Sequence, residues 1–564
     1  MFLSSMRITN TEAVNNGKKK LELRRGRMKK NGPNSQNESA GASGKQAAGT
    51  GNQAVLTISD NLAVTLENIK RELGSSPDLK IRKFQIGSAK PFWAAAVYMD
   101  GMVNTAAVDE FILEALMENP EDAAEEMPRE PQDRLGLVLA RGLELGEIAI
   151  RDNWDDMMLS LLSGNTIILL DGCSKAIEGG TKGGAWRTVS EPSSQIVIRG
   201  PKDSFVESLI TNIALIRRRI KSPKLWVEFM KFGTVTNTDV ALLYMKDRAD
   251  RKVLDQVKFR LSKIDIEAVL ESSYIEQLIQ DKVFTPFPTV FNTERPDVAA
   301  ANLLEGRIVL IVDGTPFVLI MPTVLAQFLQ STDDYSLQFD IATLMRLVRY
   351  VSLIILLLGP SVFIALTTFH YEMVPTPMLI SLLAQRENVP FPAAIEAIIM
   401  EAAFEILREA GIRMPRAVGQ TVSVVGALIL GMAVVEAGII TPVMVIVVAL
   451  TGIASFAIPS YNLAVAGRIV RFGFMIAASM FGFYGITLGL IVLIAHVNSL
   501  QSFGTPYLAP FSPFSVRGQK DTVVRVPMFL VNLRPNKLGH MNDNDKSGKD
   551  KGTSDSGKDG QTGA

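Results

Sequence analysis

Between residues 418 and 497 the chain almost stops carrying charge, and this stretch limits what everything else can fold into. Residues 418–438 (VGQTVSVVGALILGMAVVEAG), 442–458 (PVMVIVVALTGIASFAI) and 472–497 approach the ~20 apolar residues that a helix needs to cross a bilayer. A fourth run, 347–369, lies upstream and contains Pro360. Hydrocarbon offers no water to backbone N–H and C=O groups, so such runs are read as transmembrane helices. The expected fold class is an α/β cytoplasmic N-terminal region of two subdomains, followed by an all-α polytopic membrane domain.

The polar half divides by composition. Residues 1–53 carry a basic cluster (Lys18, Lys19, Lys20, Arg24, Arg25, Arg27, Lys29, Lys30) and then Asn, Gly, Ser and Gln. They read as a disordered basic arm, either solvated or leaning on anionic lipid. Residues 54–190 and 191–330 read as two α/β subdomains split near Glu191-Pro192. Helical periodicity covers 61–72, 106–117, 203–220, 250–264, 273–280 and 296–304, with Asp203 or Ser204 as the N-cap of the third. Strand patterns cover 90–99, 166–170, 195–199, 224–231 and 238–245. Residues 307–312 and 317–321 resemble a span, but Asp313-Gly314-Thr315-Pro316 between them makes a hairpin. Residues 331–515 form the membrane domain, with four to six spans, one of them re-entrant or amphipathic. Residues 516–564 are a polar, largely disordered tail.

The chemistry that these residues exclude is broad. One cysteine, Cys173, allows no internal disulfide, and three scattered histidines (His370, His496, His540) make no metal motif. Gly179-Gly180-Thr181-Lys182-Gly183-Gly184 lacks the spacing of a phosphate loop. No catalytic motif stands out, so neither an enzyme nor a cofactor is expected, and no secretory signal marks the N-terminus. The 58 basic and 58 acidic residues balance, and no nucleic acid partner is expected.

What remains is polar chemistry on apolar helices. Within 393–410, Glu401, Glu405 and Glu409 step by four and share a face, joined by Arg408. With Gln420 and Glu436 they are the candidate pore or polar lining. Gly419, Ser423, Ala427 and Gly431 recur every four residues, a small-residue ribbon fit for helix packing, either within the chain or between copies. Thr451 and Ser455 are expected to satisfy their own helix's carbonyls, and His496 to sit at the interface. The charges conflict over topology. Arg346, Arg349, Arg517, Lys520 and Arg525 favour both ends inside, but four spans then put Arg468 and Arg471 outside. Both termini inside is the preferred arrangement.

From Arg187 to Phe514 the chain resembles the A subunit of the GerA-type spore germinant receptors. The likeness rests on Arg199-Gly200-Pro201, Asn212 with Arg217-Arg218-Arg219-Ile220-Lys221, Val312-Asp313-Gly314-Thr315-Pro316-Phe317 and Asp333-Asp334-Tyr335. It continues through Pro375-Thr376-Pro377, Pro390-Phe391-Pro392, Phe404-Glu405-Ile406-Leu407-Arg408-Glu409-Ala410-Gly411 and Ser502-Phe503-Gly504-Thr505-Pro506-Tyr507. Lys202-Asp203 departs from the expected Arg and acid. The resemblance implies a spore inner-membrane complex with a permease-like, nutrient-sensing B subunit and a C-subunit lipoprotein. The A subunit is then a homo-oligomeric, ligand-gated channel releasing monovalent cations at the start of germination. Two alternatives stay open: the paralogous channel subunit of the dipicolinate-release system, and a non-conducting scaffold for the B subunit.

Overall fold

The computed structural model describes residues 56–86, 91–114, 116, 131–140, 147–184, 191–192, 194–415, 419, 425–426, 428–519 and 521–527. The expected basic arm (1–53), most of the polar tail, Gln420, Ser423 and Ala427 lie outside the described residues.

The first sheet begins with helix α1 (Leu62–Glu72), whose Asn61 N-cap accepts from Ala63 N and Val64 N at 2.9 and 3.4 Å. Strands β1 (Leu79–Ile86), β2 (Phe92–Met99), β3 (Ile148–Arg151), β4 (Thr166–Leu170) and β5 (Ala176–Gly179) then form an antiparallel sheet in the order β1-β2-β4-β5-β3. Helix α2 (Trp154–Leu161) precedes β4. The second sheet repeats this plan. Helix α3 (Leu209–Arg219) leads to β6 (Leu225–Phe232) and β7 (Thr238–Met245), followed by α4 (Arg251–Leu261) and α5 (Ser272–Ile279). Then come β8 (Phe291–Thr293), α6 (Pro296–Leu304), β9 (Ile308–Val312) and β10 (Val318–Met321), in the order β6-β7-β9-β10-β8. Renumbered from its own first strand, the second order is the same as the first.

The repetition extends to single hydrogen bonds. Asp171 Oδ1 accepts from Leu62 N, the first residue of α1, at 3.2 Å; Asp313 Oδ1 accepts from Leu209 N, the first of α3, at 2.9 Å. Each aspartate is followed by a glycine at positive φ, Gly172 at 85° and Gly314 at 87°, where a side chain would be strained. β4 and β9 are buried along their whole length. That explains why β9 and β10 mimic a membrane span in sequence: a strand covered on both faces has no polar side to display.

The helical half starts with α7 (Phe339–Thr368) and continues with α8 (Thr376–Arg386), α9 (Ala393–Arg413), α10 (Pro442–Phe456) and α11 (Tyr461–Ser499). Among the described residues two helices, α7 and α11, are long and apolar enough to cross a membrane. At 15 residues α10 rises only ~22 Å, short of a bilayer core by itself. The expected run 418–438 is described only in part; it includes a π turn at Ile429–Ala433 and a short helical turn at Val434–Glu436.

Several expectations need correction. Residues 195–199 are not a strand, because Glu294 Oε1 takes the N–H groups of Ser194 and Gln195 and no sheet edge pairs with them. The helix expected from 203 begins at Leu209, capped by Ser208; Asp203 instead binds Arg219 at 2.6 Å. The pattern at 106–117 yields Thr105–Val108 followed by a π turn, Asp109–Glu114.

The largest correction concerns 472–497, which is not one span. Gly482 has φ 58° and ψ −138°, outside helical geometry. In an unbroken helix Phe474 and Gly489 would stand ~22 Å apart. A Cβ added at Gly489 would instead lie 2.8 Å from Phe474 Cε1, and one at Gly485 would meet the Ala477 carbonyl. Residues 461–481 and 483–499 are therefore two arms of a helical hairpin.

Neighbouring contacts fix the direction of each segment. The end of α7 meets the hairpin tip, where Phe369 and His370 lie against Gly482. A Cβ at Gly467 would lie 2.8 Å from Leu356 Cδ2. α10 runs back along α7, with Met444 and Val448 clustering with Ile364 and Ala365, and a Cβ at Gly359 would lie 3.1 Å from Thr451 Oγ1. α9 runs beside α10 in the same direction, since Glu396 reaches Thr441 and Arg408 reaches Ser455. The chain then returns to the sheets. Asp334 holds Arg346 and Arg349 of α7 at 3.0 and 2.8 Å, and Arg346 Nη1 donates to Asp521 Oδ1 at 3.1 Å. The start of the helical half and the segment after it thus share one end.

Candidate functional site

Apolar helices that enclose charge must compensate it, and α9 does so across the bundle. Glu401 Oε2 lies 2.6 Å from Arg471 Nη2 on the first arm of α11, both side chains 2% exposed. One turn along, Glu405 pairs with Arg468 and stands 3.8 Å from Arg408. Arg408 Nη2 donates to Ser455 Oγ of α10 at 2.8 Å and packs over Phe456 at 4.9 Å. Nearer the far end, Glu396 Oε2 accepts from Thr441 Oγ1 at 2.9 Å, with Arg386 at 3.9 Å. Helices α8, α9 and the first arm of α11 therefore share one row of ion pairs, buried at Glu396 and Glu401 and partly exposed at Glu405.

The row is incompletely bonded. Among the described residues Glu396 Oε1, Glu401 Oε1 and the Nε atoms of Arg408, Arg468 and Arg471 are buried without a hydrogen-bond partner. Buried polar groups are nearly always paired, and each exception asks for a reason. Replacing such pairs by apolar residues is often neutral or stabilising, so stability alone does not explain them. In a membrane, ionisable residues of this kind mark ion or substrate pathways.

The structure distributes the candidate residues unevenly. Glu401 and Glu405 join the row; Glu409 points outward and pairs with Arg413 four residues on at 2.6 Å. Glu436 is exposed beside an open 450 Å³ cavity at the end away from the sheets, lined also by Gln385, Asn388 and Val389. A Cβ at Gly431 would meet nothing within 4 Å, whereas one at Gly419 would lie 3.4 Å from the Gly411 carbonyl. Thr451 and Ser455 donate to Val447 O and Gly452 O of their own helix at 2.7 and 2.6 Å. His496 lies 3.0 Å from Thr285 Oγ1. Sequence reasoning weighed Arg468 and Arg471 only as charges that set topology; their i,i+3 spacing, opposite in sign to Glu401 and Glu405, was the available signal.

The family model "Bacillus/Clostridium GerA spore germination protein" matches residues 67–537. Spore germination protein KA of Bacillus subtilis (strain 168) is 49% identical, across 87% of this chain and 89% of that protein. The uncharacterized membrane protein YfkQ of the same strain is 42% identical, across 85% and 91%. Spore germination protein GerLA of Bacillus cereus is 36% identical, across 86% and 97%. A crystal structure of the N-terminal domain of the A subunit of the Bacillus megaterium spore germinant receptor GerK3 is 40% identical, covers 48% of this chain and 99% of that one, and has a TM-score of 0.39. With a family match over most of its length and relatives aligned nearly end to end, the chain belongs to the GerA family of spore germination proteins.

Proposed function

We propose that the chain is the A subunit of a nutrient germinant receptor in the spore inner membrane, where copies assemble into a channel for monovalent cations. In this reading the helical half between Phe339 and Ser499 spans the bilayer, with α10, too short to cross by itself, packed among longer segments, and both sheets and the C-terminal segment face the cytoplasm. A permease-like B subunit senses the nutrient, and a C-subunit lipoprotein completes the receptor.

The observation that carries the proposal is the row Glu401–Arg471 and Glu405–Arg468 inside otherwise apolar helices. With each carboxylate held by an arginine, no acidic oxygen is free to line a path and the row blocks ion passage. Separating α9 from the first arm of α11 frees acidic oxygens to line a water-filled path. Nutrient bound to the B subunit shifts the population toward that state. The open space around Gly431 suits a seam between copies.

The test is single-channel recording from the purified chain in planar bilayers. Wild type is expected to conduct cations, Glu405→Gln to change conductance or gating, and Gly431→Trp to remain folded but lose current. A wild-type protein that inserts and stays silent overturns the channel and leaves the scaffold. Unchanged currents in both variants remove Glu405 and Gly431 from the mechanism.

A further inference from the structure

The loop between α5 and β8 carries the most exposed aromatic ring in the second sheet's half of the molecule. Phe284 is 98% exposed and its neighbour Val283 62%. A surface phenyl ring by itself means little, but this loop is pinned. Lys282 Nζ donates to Ser499 Oγ at 3.0 Å, Thr285 Oγ1 lies 3.0 Å from His496 Nε2, and the Phe287 and His496 rings are 6.2 Å apart. His496 and Ser499 form the last turn of α11, so the loop tip is level with the end of the hairpin's second arm. That arm presents a bare apolar face, with Leu488, Ile491, Val492 and Ile494 each about half exposed or more. At the start of α7, Phe339, Ile341 and Leu344 are exposed as well. The tip has the composition of an interfacial anchor: two apolar side chains with a lysine beside them.

We infer that Lys282–Thr285 dips into the bilayer at the boundary between headgroups and acyl chains, with Val283 and Phe284 in the apolar layer and Lys282 at the lipid phosphates. The inference rests on the reading that the helical half spans a membrane. The loop then ties the second sheet to the lipid surface and, through His496, to the hairpin. A movement of that helix would be felt in the sheet.

The test uses the full chain in anionic lipid vesicles. Cys173, the one native cysteine, is buried and is replaced by alanine, and nitroxides are placed at Phe284→Cys and, separately, Leu488→Cys. Collision with oxygen reports lipid, and collision with a water-soluble nickel chelate reports solvent. The expected result is oxygen access with loss of nickel access at both positions. Nickel access at 284 with a lipid-like 488 overturns the anchor alone. Exclusion of both reagents at 284, with spin–spin broadening between labels, overturns it in favour of a second copy covering the loop. Nickel access at 488 overturns the spanning reading and the anchor with it.

Discussion

Arg217, Arg218 and Arg219 are consecutive, yet each does a different job, because a helix sends neighbours to different faces. Arg217 is 1% exposed and grips Asp78 through Nε at 2.5 Å and Nη2 at 3.0 Å, with Ser76 at 2.9 Å, which locks α3 to the turn before β1. Arg218 donates to the Gly183 carbonyl at 3.0 Å, and Arg219 binds both oxygens of Asp203 at 2.6 Å. The basic run was legible; the partners were not, since they lie up to 141 residues away. The Glu401–Arg471 pair yields a prediction at this scale. Arg471→Leu alone strands a buried carboxylate and should lower stability by ~3–5 kcal/mol, while Glu401→Leu with Arg471→Leu should recover most of that loss. Thermal unfolding in detergent of both variants checks this. Carboxyls in the sheet-bearing half differ by environment. Burial first, and then repulsion from Glu271, push the Glu276 carboxyl up to about 7. Burial also works to raise Glu271, but hydrogen bonds from Ser272, Ser273 and Thr315 outweigh it and hold that carboxyl below its usual value. A carboxyl whose pKa rises on folding adds stability at low pH and loses it as pH climbs through the folded value. Glu276→Gln should therefore gain in melting temperature over wild type between pH 5 and pH 8, and an unchanged difference would refute the assignment.

At the scale of elements, the hairpin of α11 is the most consequential feature that sequence reasoning missed. Residues 472–497 are apolar enough to pass for one rod, and hydropathy has no term for chain reversal. The reversal depends on Gly482, whose ψ of −138° at φ 58° belongs to a region that glycine alone occupies comfortably. It also depends on the shape of its neighbours. A side chain at 482 would lie 2.8 Å from His370 Cε1 and 2.9 Å from Phe369 Cβ. Cysteines introduced at Phe474 and Gly489 should give an intramolecular crosslink with a short bifunctional thiol reagent in a Cys173→Ala background. An unbroken helix would hold them ~22 Å apart and give none. The elements that were read well, β4, β7 and α6, share strong local signals. Each is an apolar run ended by a turn, or opens with proline at the first helical position.

At the scale of the whole molecule, the second sheet does not stand apart from the helices. Its core continues into Leu356, Ile458, Leu463, Val497 and Tyr507, so one apolar cluster joins strands to helix ends. Asp334, 0% exposed, closes the same joint by holding two arginines of α7 while Arg346 reaches Asp521. Tyr335 OH donates to Asp521 Oδ2 at 2.9 Å. Asp334→Asn should leave Arg346 and Arg349 undercompensated and loosen the segment around Asp521. Limited trypsin digestion of the full chain in detergent should cut near Arg525 sooner than in wild type; equal rates would show that the joint does not depend on this carboxylate.

Local sequence alone determined the limits of β4, β7 and α6, the division into a polar and an apolar half, and the family, while β1, β3, β5, β8 and α2 went unread. Apolar periodicity, caps and turn residues act over a few positions and leave a readable trace. Tertiary structure alone decided that the two sheets repeat one plan, that Arg468 and Arg471 face Glu405 and Glu401, and that the last apolar run doubles back. Those outcomes depend on which distant side chains share a buried volume, where an unpaired charge is costly and a glycine's missing Cβ leaves room for another helix.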